Sequence, residues 1–127
     1  MKLKDKLLSV AIDVRVKIEY KNKDRNPELY GECVDASLEI QEMLKKIGIE
    51  STFIEGWVSY DMGEGCSDVP YDPHCWIEVK DGEDKWYVDV TATQFNRLMF
   101  KENKYQPIII SKNMPYGMSY TEPKYEE

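Results

Sequence analysis

The sequence predicts an α+β fold in which helices pack on a small antiparallel sheet. Two segments near the amino terminus carry apolar residues at the three- and four-residue spacing of a helix. The segments that follow alternate between apolar and polar residues, as half-buried strands do, and Asp81-Gly82 between two of them favours a hairpin. Because helices come first and strands afterwards, we expect an antiparallel meander and not repeated βαβ units.

The helices are predicted from their apolar stripes. The first spans about residues 3–20, and the second spans about residues 33–47 with Gly48 as its C-cap. The residues expected to face inward are Leu3, Leu7, Val10, Val14 and Ile18, widened by Leu8 and Ala11, and then Ala36, Ile40, Leu44 and Ile47.

Four strands are expected after the helices, over residues 52–60, 74–80, 85–90 and 106–111. In the first, Phe53 and Trp57 share one face, and Ile54, Val58 and Tyr60 share the other.

Three further segments lack a strand or helix pattern. Residues 61–72 contain two glycines and four acids without periodicity, which predicts a mobile loop that gates a cleft. Residues 91–104 are expected to be irregular or a short helix, and residues 112–127 to form an extended, weakly ordered tail.

Composition indicates one compact domain, with residues 1–25 as an amino-terminal helix, 28–97 as the core and 112–127 as the tail. The chain has 127 residues and a net charge of −7. Residues 1–25 carry eight Lys or Arg against four Asp or Glu, so they contribute +4 and the remainder −11. An acidic body repels phosphate backbones, so we expect no nucleic-acid partner.

Other features of the chain predict a free thiol in a cytoplasmic protein. No apolar run approaches the roughly 20 residues of a membrane helix, and the charged amino terminus is unlike a signal peptide. Three cysteines at irregular spacing do not form a disulfide framework. We therefore expect no membrane partner and a reducing environment, and the oligomeric state stays open.

Three residues, in the chain order Cys33, His74 and Asp89, indicate a catalytic site. Cys33 opens the second predicted helix, where unpaired amides and the helix dipole favour a thiolate. His74 is the only histidine of the chain and lies in a strand, and Asp89 lies in the next strand. These positions suit a catalytic triad. Cys33 would be the thiol nucleophile, His74 the imidazole base, and Asp89 the carboxylate that orients the imidazole.

The hairpin register brings the last two of these residues together. A two-residue turn at Asp81-Gly82 would place His74 directly opposite Asp89. A four-residue turn over 81–84 would place Asp89 diagonal to His74 on the same face. Only a one-residue slip would separate them onto opposite faces.

Several assignments around this centre stay open. Backbone amides at the start of the second helix would form one half of an oxyanion hole, and Asn26 or Tyr30 is the candidate for the other half. Glu78 shares the His74 face and is an alternative to Asp89, and Trp76 is a candidate for the substrate cleft. Zinc binding by Cys66, His74 and Cys75 is disfavoured, because adjacent residues of a strand point to opposite faces.

Three segments of the sequence resemble the transglutaminase-like superfamily: residues 31–37 (GECVDAS), 74–79 (HCWIEV) and 86–95 (WYVDVTATQF). The resemblance covers about residues 28–97. It implies a papain-like α+β core, with Cys33, His74 and Asp89 at the catalytic positions. Val90 stands where family patterns often have proline, which changes a turn and not the chemistry.

We therefore expect cysteine-dependent acyl transfer or hydrolysis on protein or peptide amides, with no metal and no cofactor. The superfamily includes proteases, deamidases and transglutaminases, and the sequence does not choose among them. The alternative is a non-catalytic binding module that retains the fold.

Overall fold

A computed structural model describes residues 2–59, 71–98 and 104–123 of the chain. Within these ranges the chain forms two α-helices, five strands and one 3₁₀ helix. The sheet order is β4-β3-β2-β1-β5, and each neighbouring pair is antiparallel. These findings confirm the α+β class. The elements are α1 (Leu3–Asn22), α2 (Cys33–Lys46), β1 (Thr52–Ser59), β2 (Tyr71–Asp81), β3 (Asp84–Asp89), the 3₁₀ helix (Ala92–Leu98), β4 (Ile109–Ser111) and β5 (Met118–Ser119).

Both helices bury most of their predicted stripes. The main apolar core lies between α1, α2 and one face of the sheet, where Ile77 and Val79 of β2 meet the helices. The predicted residues buried in this core are Leu7, Val10, Ala11, Val14, Ile18, Ala36, Ile40 and Leu44.

Two residues expected to face inward are exposed instead. Leu8 is 39% exposed, since it lies at the border of the α1 stripe, beside the fully buried Leu7. Ile47 is 51% exposed because α2 ends at Lys46. The chain then reverses at Gly48, which has φ +82° and donates its N–H to the carbonyl of Lys45.

A second apolar core lies on the opposite face of the sheet. Trp76 is fully buried there, and a Cβ added to Gly56 on the neighbouring strand would overlap its ring. Glycine at position 56 is thus what allows the indole to lie flat against β1. The other buried members of this core are Val58, Tyr87, Ala92, Phe95, Tyr105 and Met118.

The β2–β3 hairpin follows the second of the two predicted registers. Lys80 pairs with Lys85, and one further pair, Asp81 with Asp84, leaves Gly82-Glu83 as the two-residue loop. Gly82 has φ +64°, whereas Glu83 does not have positive φ. This is the pattern of a type II′ turn, which needs a glycine only at its first central position. A turn centred on Asp81-Gly82 would require left-handed backbone at the aspartate as well, so the chosen register avoids that strain.

The carboxy-terminal segment is more ordered than the sequence suggests. The strand expected over 106–111 is reduced to Ile109–Ser111, and the predicted tail contains β5. Val58 of β1 pairs with Met118 of β5. Because Met118 is buried against the second core, residues 112–123 are not a free tail.

The predicted loop 61–72 falls mostly outside the described residues, as does Tyr60. Its last two residues, Tyr71 and Asp72, belong to β2 and pair with Ser59 and Val58, so β2 begins earlier than predicted. Neither α1 nor α2, the α-helices within the described ranges, has the length and apolarity needed to cross a membrane.

Candidate active site

Cys33 is the first residue of α2 and is partly exposed. The residue before it, Glu32, makes no side-chain cap, so the first amides of the helix have no capping partner from that residue. The preceding turn is held by Leu29, which is fully buried although its φ is +63°. A left-handed leucine costs about 1–2 kcal/mol, and burial of its side chain offsets that cost. The loop therefore fixes where the helix, and with it the thiol, begins.

His74 and Asp89 are buried and joined to each other. His74 is 1% exposed and Asp89 is 3% exposed. The imidazole Nε2 and the carboxylate Oδ2 lie 2.5 Å apart. The other carboxylate oxygen, Oδ1, accepts a hydrogen bond from the Thr91 N–H at 2.9 Å. The ring of Phe95 packs edge-on against the imidazole, with centroids 5.0 Å apart. Contacts on both sides thus fix the orientation of the imidazole.

The second imidazole nitrogen, Nδ1, is not the one that bonds to Asp89. It is buried and has no hydrogen-bond partner of full geometry within the described residues. The thiol of Cys33 lies close enough to interact with the ring both by hydrogen bonding and by charge. The same imidazole therefore interacts with the Asp89 carboxylate through Nε2 and with the Cys33 thiol.

Electrostatics in this cluster favour an ion pair between thiolate and imidazolium. Burial alone would lower the pKa of His74, but the Asp89 charge and hydrogen bond, reinforced by Cys33, raise it from 6.5 to about 9. Burial alone would raise the pKa of Cys33, but hydrogen bonding to His74 and its charge, with contacts from Cys75, leave that pKa below the ordinary 9.0. The imidazolium of His74 is therefore present at neutral pH, and its charge favours the thiolate form of Cys33.

Cys75 is a third member of the cluster, and no sequence pattern indicates its place there. It follows His74 on β2, and its backbone N–H and its thiol both contact the sulfur of Cys33. Burial, followed by the negative charge on Cys33 and the contact with it, raises the pKa of Cys75 to about 12. The site thus contains one thiol whose pKa is lowered beside a second thiol whose pKa is raised.

The two oxyanion candidates lie in the loop before α2 and bind each other. The side-chain amide of Asn26 donates to the Tyr30 carbonyl at 2.8 Å, and its oxygen accepts the Tyr30 N–H at 3.1 Å. One amide hydrogen of Asn26 remains as a donor. The Tyr30 side chain is 43% exposed.

Glu78 and Trp76 share the sheet face of His74 but serve a separate network. The Glu78 carboxylate accepts hydrogen bonds from Trp76 Nε1 at 3.0 Å and from the Tyr120 hydroxyl at 2.7 Å. It also pairs with Lys85 at 3.2 Å. Asp89 and not Glu78 is therefore the carboxylate that orients His74. Trp76 is fully covered and does not line an open cleft in this structure.

Sequence reasoning missed the residues that hold the carboxylate in place. The only sequence signal for Thr91 is that it lies in residues 86–95, one of the segments that resemble the transglutaminase-like superfamily. Arg15 of α1 had no signal, yet its guanidinium donates to the Val90 carbonyl at 2.8 Å and to the Thr93 hydroxyl at 2.9 Å. These bonds tie the first helix to the chain just beyond Asp89.

Within the part of the chain that the structure describes, no group of three or more His, Cys, Asp or Glu side chains is arranged to hold a metal ion. The third cysteine, Cys66, lies outside that part.

Comparisons with protein-family models, curated proteins and solved structures found no match for the chain. Its function is therefore inferred from the chemistry of the site.

Proposed function

We propose that the chain is a cysteine-dependent enzyme of transglutaminase-like type that transfers or hydrolyses acyl groups of protein or peptide amides. The observation that carries the proposal is the buried bond between Asp89 and His74, with the same imidazole in interaction with the Cys33 thiol. A carboxylate on one ring nitrogen and a thiol beside the ring is the arrangement that activates a sulfur nucleophile.

The first half of the reaction would form a thioester. The Cys33 thiolate attacks the amide carbonyl, and the amides at the start of α2 stabilise the oxyanion. His74, protonated at Nδ1, then donates that proton to the departing amine. Asp89 stabilises the imidazolium and keeps Nδ1 directed at the reacting atoms.

The second half would resolve the thioester. His74, now neutral, removes a proton from water or from an amine, which attacks the thioester carbonyl and releases Cys33. With water the outcome is hydrolysis or deamidation, and with an amine it is cross-linking. Burial of His74 and Asp89 behind a partly exposed thiol supports a substrate that approaches from the Cys33 side.

Selective alkylation tests the nucleophile first. Iodoacetamide near pH 7 should label Cys33 faster than Cys66 and Cys75, with the sites mapped by mass spectrometry. The His74→Gln variant should lose this selectivity, since it removes the cation that stabilises the thiolate. Asp89→Asn should weaken the selectivity. Cys75→Ala should retain selective labelling, because it leaves the imidazole in place.

Glutamine peptides, with and without an amine acceptor, then test the reaction itself. Ammonia release without the acceptor indicates deamidation, and incorporation of the acceptor indicates transfer; peptide cleavage is scored in the same samples. Cys33→Ala should abolish any of these activities while the fold persists, because alanine at a helix start costs little. Equal labelling of all three cysteines, or turnover by Cys33→Ala, would contradict the proposal and favour a binding module.

A further inference from the structure

The proposed reaction needs only one thiol, yet the site contains two in contact. Cys33 and Cys75 come from different elements, the start of α2 and the middle of β2. Both are free thiols, and each sulfur interacts with the other. Acyl transfer gives Cys75 no role.

The packing of α2 on β2 accounts for this contact independently. Ala36 and Ile40 of α2 share the main core with Ile77 and Val79 of β2. Cys33 lies one helical turn before Ala36, and Cys75 lies two residues before Ile77 on the same strand face. At the opposite ends of these elements, a cavity is lined by both Gly48 and Val79. The two elements therefore run side by side in the same direction, and this alignment places residue 33 beside residue 75.

We propose that Cys33 and Cys75 are an oxidative modification site, at which a hydroperoxide converts the two thiols into a reversible intramolecular disulfide. The inference uses the reactive Cys33 of the proposed function but does not depend on acyl transfer. Because the disulfide consumes the nucleophile, it would switch that function off until a thiol reductant restores it.

The chemistry balances in two steps. The Cys33 thiolate attacks one peroxide oxygen, the O–O bond breaks, and hydroxide leaves and takes up a proton, so that Cys33 becomes a sulfenic acid. The Cys75 sulfur then attacks the Cys33 sulfur, the S–O bond breaks, and the thiol proton leaves with the hydroxyl group as water. Two electrons pass from the two sulfurs to the peroxide.

The order of the steps follows from the surroundings of each sulfur. Cys33 is partly exposed and has a lowered pKa, so it forms the thiolate more readily than Cys75 and reacts with the peroxide first. Cys75 is 8% exposed, and burial, followed by the charge on Cys33, raises its pKa so that its thiol stays neutral. Oxidation of Cys33 to an uncharged sulfenic acid removes that charge, so the pKa of Cys75 falls at the moment when its thiolate is needed.

The test uses the full chain carrying Cys66→Ser, so that Cys33 and Cys75 are the only thiols. After treatment with a small excess of hydrogen peroxide, intact mass under non-reducing conditions should fall by about 2 Da, since two hydrogens leave. A non-reducing digest should contain one cross-linked species joining the peptides of Cys33 and Cys75. Dithiothreitol should restore the original mass.

The matched variant adds Cys75→Ala in the same background. Without a resolving thiol, its mass should rise by about 16 or 32 Da as Cys33 takes up oxygen. The proposal is overturned if the protein with both thiols also gains oxygen without forming the cross-linked species, or if it does not react. This readout needs no catalytic assay. A chain that forms the disulfide but processes no amide would contradict the proposed function and leave the disulfide proposal standing. If the reduced protein turns over amides and the fully cross-linked protein still does so, the disulfide does not switch that activity off, and this part of the proposal is wrong.

Discussion

His74 is buried, and a buried imidazole ordinarily loses its proton more readily than one in water. Here the adjacent carboxylate of Asp89 outweighs burial, and the pKa of His74 rises to about 9. A histidine whose pKa is raised keeps its proton to higher pH. The imidazolium of His74 therefore persists through neutral pH and is lost as the pH rises through about 9. The general acid of the proposed reaction is therefore present at pH 7 without any further activation.

The single histidine allows this value to be measured directly. In the wild-type protein, the imidazole ¹H–¹³C resonances of His74 should titrate with a midpoint near pH 9. In Asp89→Asn the midpoint should move to lower pH, because burial remains while the negative charge is gone. Asparagine keeps an oxygen that can accept the Thr91 N–H, so the local backbone should persist.

Glu78→Gln is the control for this titration. It removes a carboxylate from the same strand face, but one that bonds to Trp76 and Tyr120 instead of His74. The midpoint should stay close to the wild-type value. An unchanged midpoint in Asp89→Asn would show that the carboxylate does not control the imidazole.

At this scale the sequence predicted which side chains meet but not all of their neighbours. Alternation along two hairpin strands placed His74 and Asp89 on one face in either of two registers. Strand alternation places Cys75 on the opposite face from His74, and the only role that the sequence suggests for it is the disfavoured zinc site. The contact with Cys33 depends on where the start of α2 lies against the sheet, and no local pattern encodes that position.

The elements are joined by contacts of very different strength. Lys17 and Lys21 of the basic α1 pair with Glu39 and Glu32, which lie on and just before α2, at 2.9 Å and 3.5 Å. The lysines are more than half exposed, so pairs of this kind contribute little to stability. Arg15 differs, because its side chain is only 11% exposed and donates to a backbone carbonyl as well as to a hydroxyl. It is the stronger link between α1 and the rest of the site.

Arg15→Gln should therefore lower the free energy of unfolding by roughly 1.5–3 kcal/mol, the range for hydrogen bonds made by charged groups. Urea unfolding followed by circular dichroism measures this loss. Lys17→Gln on the same helix is the control, and its unfolding midpoint should not change measurably. Equal midpoints for the two variants would mean that the Val90 and Thr93 contacts of Arg15 add nothing to stability.

Helices and the hairpin were predictable because their signals are local. A 3.6-residue period defines α1 and α2, and alternation with a Gly-bearing turn defines β2 and β3. The exact position of the turn was less predictable. A turn centred on Asp81-Gly82 and one centred on Gly82-Glu83 differ only in which residue adopts positive φ. Strand β5 had no signal at all, because Met118 and Ser119 form too short a segment to show alternation, and their partners lie about 60 residues away.

For the whole molecule, the carboxy-terminal segment closes the second core. Met118 buries its side chain beside Val58, and β5 covers an edge of the sheet that β1 would otherwise expose. The Tyr120 hydroxyl bonds to Glu78, and Tyr120 lies over Trp76 with ring centroids 6.1 Å apart. The segment is thus part of the fold and lies on the same sheet face as His74.

Deletion of residues 112–127 should consequently destabilise the protein by roughly 3 kcal/mol or more, from lost burial of Met118 and lost hydrogen bonds of Tyr120. Tryptophan emission should shift to longer wavelength, because Trp76, fully buried in the intact chain, becomes accessible to water. Urea unfolding and fluorescence measure the two effects. A shorter deletion of residues 124–127 is the control, since it leaves Met118, Tyr120 and their contacts in place. If both deletions gave the wild-type midpoint and emission, residues 112–123 would behave as the weakly ordered tail that the sequence predicted, and the second core would be stable without β5.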